Sequence, residues 1–339
     1  MNRSVLSHYD CMTVGEMPFI RSHSEILRAV GAQEEELNMI FIFELVDIDN
    51  VPGSYRMTLH PWHPKEIKSC VNTWQRLMID NDGWNSIFIE NHDNARSVSR
   101  YTDASTPENR DLGAKLLALM QTTLGGTLYV YQGEEMGMAN VPASWDPAEY
   151  LDIESQNYWK KMNAMHPGDE TQLAHARKVL NQKARDNART PVQWSAGPNA
   201  GFCPQGVKPW MRVNDDFTSI NAEAQLSAPK DSHNISILQF WQRGLQNRKD
   251  NADVFVYGDF RLLDAENDDI FAYVRESEKG EKFVTVLNFS RNEVQWNVPE
   301  EVEIQSWVAG NYTGMGAVEK ETRGRIVVRP WEGLLGKCA

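Results

Sequence analysis

The residues with the most chemical content lie in Phe88-Ile89-Glu90-Asn91-His92-Asp93, where an apolar start runs into a polar tail that ends in an acid. A buried strand reads this way when it delivers a histidine and a carboxylate to a cleft at its C-terminal end. Met12-Thr13-Val14-Gly15-Glu16 repeats the layout upstream. Two acids presented by separate strand ends suggest cleavage of a glycosidic bond, which needs a pair of carboxyl groups flanking the scissile oxygen.

Each residue carries a plainer alternative. Glu16 suits a general acid if partial burial raises its pKa, and otherwise it is a solvated glutamate opening a loop. His92 can donate to a sugar hydroxyl. Asp93 can hold two hydroxyls or stabilise a developing positive charge, or the two can simply tie a loop. Arg96 and Arg100 either neutralise Asp93 or are surface charges. Tyr131-Gln132-Gly133-Glu134-Glu135 reads better as a structural corner, with Glu134 or Glu135 paired to an arginine. In Arg185-Asp186-Asn187-Ala188-Arg189-Thr190-Pro191 the proline fixes an irregular backbone. Arg189 is suited to clamp a carboxylate or a sugar hydroxyl, and an Asp186–arginine bridge is the alternative. Trp62, Trp145, Trp159, Trp194 and Trp210 fall in or near loops and read as packing or as stacking faces for sugars.

The elements that position these residues follow from periodicity. Strands are expected over 10–16, 37–44, 86–93 and 126–132, and helices over 22–36, around 67–78 and over 109–124. That alternation implies a parallel sheet with helices packed outside it. Further helical pieces are expected over 154–163, 170–184 and 234–249. Short strands then follow over 254–257, 270–274, 283–287, 294–296 and 325–328, separated by turn residues. The expected architecture is α/β. It is the C-terminal part of a (β/α)8 TIM barrel, about four βα units over 1–250, followed by an all-β antiparallel sandwich over 251–339. A closed barrel needs eight strands and about 250 residues, so half of one is expected to be missing.

Bulk properties exclude several classes. The net charge of −13 over 339 residues leaves no basic face for nucleic acid. Cys11, Cys70, Cys203 and Cys338 match no metal or redox spacing and read as free thiols of a cytoplasmic protein. The chain shows no apolar run of membrane length and no secretory leader.

At these residues the chain resembles the α-glucosidases of glycoside hydrolase family 13, in the maltase and oligo-1,6-glucosidase branch. The matching strings are TVGEMP (13–18), FIENHD (88–93), YQGEEMGM (131–138), DNARTPVQW (186–194), NAGF (199–202), KPWMRVN (208–214) and VYGDF (256–260). The resemblance implies a retaining glycosidase acting on small α-glucosides such as maltose or isomaltose, with no cofactor and no metal. It implies Glu16 as general acid/base and Asp93 as the carboxylate that distorts substrate and stabilises the transition state. His92 would hydrogen-bond beside Asp93, and Arg189 would sit at the rim of the glucose site. The family nucleophile sits in a GFRxDxxN string, and no such string occurs here. The chain is therefore expected to be inactive alone. The alternatives are a carbohydrate-binding remnant and a non-enzymatic relative of the transporter heavy-chain type.

Overall fold

The computed structural model describes residues 2–18, 22–34, 36–51, 56–229 and 235–339. The first part of the chain alternates short strands with helices. Strand β1 (Val14–Glu16) pairs in parallel with β2 (Met39–Phe41), and β3 (Ser86–Ile87) pairs in parallel with β4 (Thr127–Leu128). Between them lie α1 (His23–Val30), α2 (Pro64–Asp80), α3 (Ser97–Tyr101) and α4 (Pro107–Thr123). β2 and β3 meet where the Ser86 hydroxyl donates to the Ile40 carbonyl, 2.5 Å. Phe41, the last residue of β2, packs edge-on against Phe88 (ring centroids 5.0 Å) and Tyr129 (4.8 Å), which lie just past β3 and β4.

The regular strands are far shorter than their apolar runs suggest. The run through Phe88, Ile89 and Glu90 is buried, yet pairing stops after Ile87. The reason is chemical. Asn91 Oδ1 accepts from the Asp93 backbone and the Asn94 amide, so the chain turns as soon as its polar residues begin. The helix expected over 22–36 ends at Val30, and Glu35 in that span lies outside the described residues.

Two helices show why their ends fall where they do. Thr106 Oγ1 accepts from the Asn109 amide at 3.2 Å and Pro107 opens α4. α4 is buried nearly all round from Gly113 to Thr123, so it serves as the centre of a layer and not as a surface helix. It packs on one side against α9 (Ile237–Asp250), which Ser236 and Gln239 cap reciprocally. The intervening segment holds α5 (Ile153–Met165), α6 (Glu170–Lys183), α7 (Asp186–Arg189) and α8 (Ala222–Ser227).

The strand expected over 254–257 is a helical turn, α10 (Ala252–Phe255). The Phe255 and Val256 amides donate to the Asn251 and Ala252 carbonyls, and Arg248 reaches the Phe255 carbonyl at 2.9 Å. Val254 and Phe255 are fully buried against the central core, so packing overrides their β propensity.

The last part is antiparallel. A five-stranded sheet runs in the order β5 (Asp259–Leu263), β6 (Ile270–Glu276), β7 (Lys282–Asn288), β11 (Gly333–Cys338), β9 (Ile304–Gly310). β8 (Val294–Asn297) and β10 (Arg325–Val328) form a separate two-stranded ladder. The pleat sorts the side chains. Ile270, Ala272 and Val274 meet Trp296, Ile326 and Val328 from that ladder, whereas Phe271 and Tyr273 face α4 and α9. The sandwich's second layer is thus only two strands wide, and the sheet's other face is covered by helices. Strands β5, β9 and β11 were not anticipated from the sequence. Gly310, Gly333 and Gly336 dilute the apolar pattern of the latter two.

Among the described residues no helix is long and apolar enough to cross a membrane. All four cysteines are unpaired.

Candidate active site

The site is built where β3 ends and where α7 lies against it. Asp93 is two-thirds buried. Its Oδ1 receives the Arg189 guanidinium at 2.8 Å, with Arg185 Nη1 3.5 Å away, while Oδ2 faces His92 Nε2 at 3.6 Å. Arg189 also donates through Nη1 to Asp152 Oδ2 (2.7 Å) and through Nε to the His92 carbonyl (2.9 Å). Arg185 Nε is 3.1 Å from Glu154. Arg56 donates to the Asp93 carbonyl from a third direction. The result is an alternating chain of charges, Asp152, Arg189, Asp93, Arg185 and Glu154, in which Asp93 is the shared centre. Fork-shaped guanidinium donors fix a carboxylate in place and in orientation.

The string that places Arg189 explains itself residue by residue. The Asp186 carboxylate accepts from the Asp152 amide (2.9 Å) and the Ser155 hydroxyl (2.7 Å), tying α7 to the start of α5. Asn187 accepts from the Val141 amide and donates to the Asn181 and Ala184 carbonyls. Tyr131 OH donates to the Ala188 carbonyl, and Trp210 Nε1 to the Arg189 carbonyl at 2.8 Å. Pro191 follows, where the helical turn has ended.

His92, Asp93 and Arg189 are therefore brought together. Glu16 closes β1 and is exposed, and among the described residues no hydrogen bond or ion pair links it to that group. Neither Arg96 nor Arg100 neutralises Asp93, and neither is a surface charge. Arg96 is buried on Glu90 (2.6 Å) and Arg100 on Asp49 (2.5 Å). Asp186 bonds backbone and a hydroxyl, and among the described residues it pairs with no arginine. Glu134 pairs with no arginine either: it accepts from Gln121 (2.6 Å) and from the Tyr131 amide, and burial pushes its pKa well above the ordinary carboxylate value. Burial raises Glu135 in the same direction.

Asp152 and Arg56 escaped the sequence reading. Asp152 had a detectable signal, since an aspartate before a helical run is an N-cap, and its Oδ1 indeed accepts from the Glu154 amide at 2.9 Å. Its second oxygen serves Arg189, which no spacing reveals. Of the five tryptophans, Trp194 and Trp210 are more than half exposed, and the Trp210 ring stands edge-on to Phe202 at 4.7 Å.

Residues 1–258 match the family described as alpha amylase, catalytic domain, and residues 260–321 match the maltogenic amylase C-terminal domain. The chain belongs to glycoside hydrolase family 13. Within this family it is 40% identical over 334 residues to an alpha-glucosidase of Schizosaccharomyces pombe, covering 98% of this chain and 56% of that protein. It is 35% identical to an oligo-1,6-glucosidase of Parageobacillus thermoglucosidasius, covering 99% of this chain and 57% of the relative. Among solved structures, the trehalose-6-phosphate hydrolase of Bacillus licheniformis superposes with a TM-score of 0.87 at 33% identity, covering 100% of this chain and 58% of the other. The chain thus spans a little over half the length of these family members.

Proposed function

We propose that this chain carries part of the machinery of a retaining α-glucosidase that acts on maltose- or isomaltose-like α-glucosides. The observation that carries the reading is the clasped carboxylate. Asp93 stands in the turn that follows β3, with one oxygen fixed by Arg189 and the other turned toward an exposed His92. This suits a group that holds sugar hydroxyls and stabilises positive charge at the anomeric carbon. In this reading Glu16 is the acid/base, His92 donates to a hydroxyl, and Arg189 holds Asp93 in place at the rim of the glucose site. Residues 1–250 then form the C-terminal part of a (β/α)8 barrel, whose β1–β2 and β3–β4 ladders are four of its strands, and residues 251–339 form the appended β domain.

A retaining mechanism also needs a nucleophilic carboxylate about 5–5.5 Å from the acid/base. No GFRxDxxN string is present in these 339 residues. That absence favours a second reading for the chain taken by itself, in which it binds an α-glucoside without cleaving it. Loss of a nucleophile costs orders of magnitude in turnover. The 339-residue chain should release negligible p-nitrophenol from p-nitrophenyl α-glucoside, yet bind maltose in a titration that Asp93→Asn weakens. Turnover approaching that of the S. pombe relative would place a competent nucleophile within this chain. Maltose binding unaffected by Asp93→Asn would remove Asp93 from the site.

A further inference from the structure

A cleft of about 560 Å³ opens where α3 and α6 meet the β domain. That volume is in the range of small-molecule sites. None of its lining residues contacts Asp93. Its wall carries the cations Arg100, Lys178, Lys183 and Arg291 and the single carboxylate Asp49. In a protein of net charge −13 this local excess of positive charge runs against the whole.

Two carboxylates act on the inner cations: Asp49 in the wall, and Asp47 outside it, whose charge reaches Arg56, Arg100 and Lys183. Asp49 takes Arg100 Nη2 at 2.5 Å and Lys183 at 2.8 Å. Burial works against its charge, but Arg100 and then Lys183 outweigh it and hold its pKa down to about 2. Lys183 receives only a share of that charge, and its own burial pulls its pKa down to about 8. Arg100, nearly fully buried, keeps a buried Nη1 with no hydrogen-bond partner among the described residues. That nitrogen has no accessible surface, so Arg100 acts on an anion in the cleft through its charge. Lys178 is exposed at the mouth. Arg291, three-quarters exposed, is paired with Asp103 at 3.4 Å. One apolar wall is Trp62, whose Nε1 is anchored on the Arg100 carbonyl at 2.9 Å.

We propose that this cleft binds a phosphate group, carried by a small phosphomonoester or free in solution. Lys178 and Arg291 meet the anion first, and the charges of Arg56, Arg100 and Lys183, set against those of Asp47 and Asp49, hold it. Because the lining comes from both the helical part and the β domain, the bound anion ties the two together and stabilises the folded chain by mass action.

The test is calorimetric titration and thermal unfolding of the 339-residue chain with inorganic phosphate, glucose 6-phosphate and glucose, at constant ionic strength set with sodium chloride. Saturable binding of inorganic phosphate and of glucose 6-phosphate, with a rise in melting temperature, is expected. Tighter binding of glucose 6-phosphate would identify an ester site and equal binding a site for the ion itself, and both support the proposal. The double variant Lys178→Gln, Arg291→Gln changes two exposed side chains and should keep the melting temperature measured without phosphate, while losing at least tenfold in phosphate affinity. The proposal is overturned if phosphate shows no saturable binding or if the double variant binds phosphate as the parent does; glucose reports the Asp93 site alone. Inorganic phosphate carries no sugar, so failure of its binding leaves the glucosidase reading untouched.

Discussion

Glu90–Arg96 and Asp93–Arg189 are both carboxylate–guanidinium pairs, and their acids lie three residues apart on one strand end. Their surroundings are opposite. The side chains of Glu90 and Arg96 are 1% and 0% exposed, and those of Asp93 and Arg189 are 34% each. Every oxygen of Glu90 is used inside the protein, with Ser97 supplying both its amide and its hydroxyl at 2.8 Å. Arg96 adds the Gln132 and Asn187 carbonyls, so one side chain joins β3, the loop after β4 and the turn that carries Arg189. Asp93 by contrast keeps Oδ2 facing the exposed His92. The same chemistry thus serves as a rivet in one place and as a presented ligand in the other, and water access decides which.

The largest test of that contrast is Arg96→Met. It leaves the buried Glu90 charge unpaired, which costs about 3–5 kcal/mol of stability. The urea midpoint should fall steeply. Arg189→Met opens the solvent-exposed pair with Asp93 but also takes a partner from Asp152, whose side chain is 7% exposed, so it should cost about 1–3 kcal/mol, less than Arg96→Met. Equal losses from the two substitutions would dissolve the distinction.

Asp93→Asn addresses the other half of the comparison. It should leave the unfolding midpoint nearly in place and weaken maltose roughly tenfold, about 1.4 kcal/mol, as titration would show. A large loss of stability would instead make Asp93 a second rivet.

A third test uses pH. Burial raises the folded-state pKa of Glu134 well above 4.5, so the folded protein holds that proton to higher pH than the unfolded chain does. The associated stability is fully present below about pH 4.5 and is lost as pH rises through the raised value. Asp49 has the opposite sign: its contribution is present above its unfolded value of 3.8 and lost as pH falls toward about 2. Glu134→Gln should therefore be at least as stable as the parent at pH 7, by about 1 kcal/mol, and its stability should fall less between pH 5 and 8. Gln121 makes this feasible, since its Oε1 is buried without a partner and turning that amide over lets it accept from the new side chain. An unchanged pH profile would mean that Glu134 is not the titrating group.

The contrast also marks what could be read without a structure. FIENHD identified a strand end with an acid, and DNARTP identified a fixed turn carrying Arg189, because proline, asparagine and periodic apolar runs act locally. Which of Glu90 and Asp93 was buried could not be read, because both follow the same apolar run and burial depends on Arg96 arriving from below. Asp152 was invisible as an Arg189 partner for the same reason: 37 residues separate them, and only folding joins them. In the β domain, the strands with clean alternation were legible, and the glycine-bearing β9 and β11 were not. Val254–Phe255 misled because β propensity reports the fit of a side chain to a half-buried surface, and these two are fully buried on a helical turn.

The smallest expected effect comes from Trp210→Phe. The indole Nε1 anchors the Arg189 carbonyl, but the guanidinium at the other end of that residue is held separately by Asp93, Asp152 and the His92 carbonyl. The bond lies near solvent, so water can replace the lost donor, and stability should move by no more than about 0.5 kcal/mol. If Trp210 acts only through that carbonyl, maltose affinity should fall about two- to threefold at most, since the three guanidinium contacts still fix the clasp. A tenfold loss would carry a different message. The phenyl ring keeps the aromatic face against Phe202 but is smaller, so a large effect would show that the exposed indole touches the sugar itself. The presented side of the comparison would then extend from Asp93 and His92 to the loop that carries Trp210.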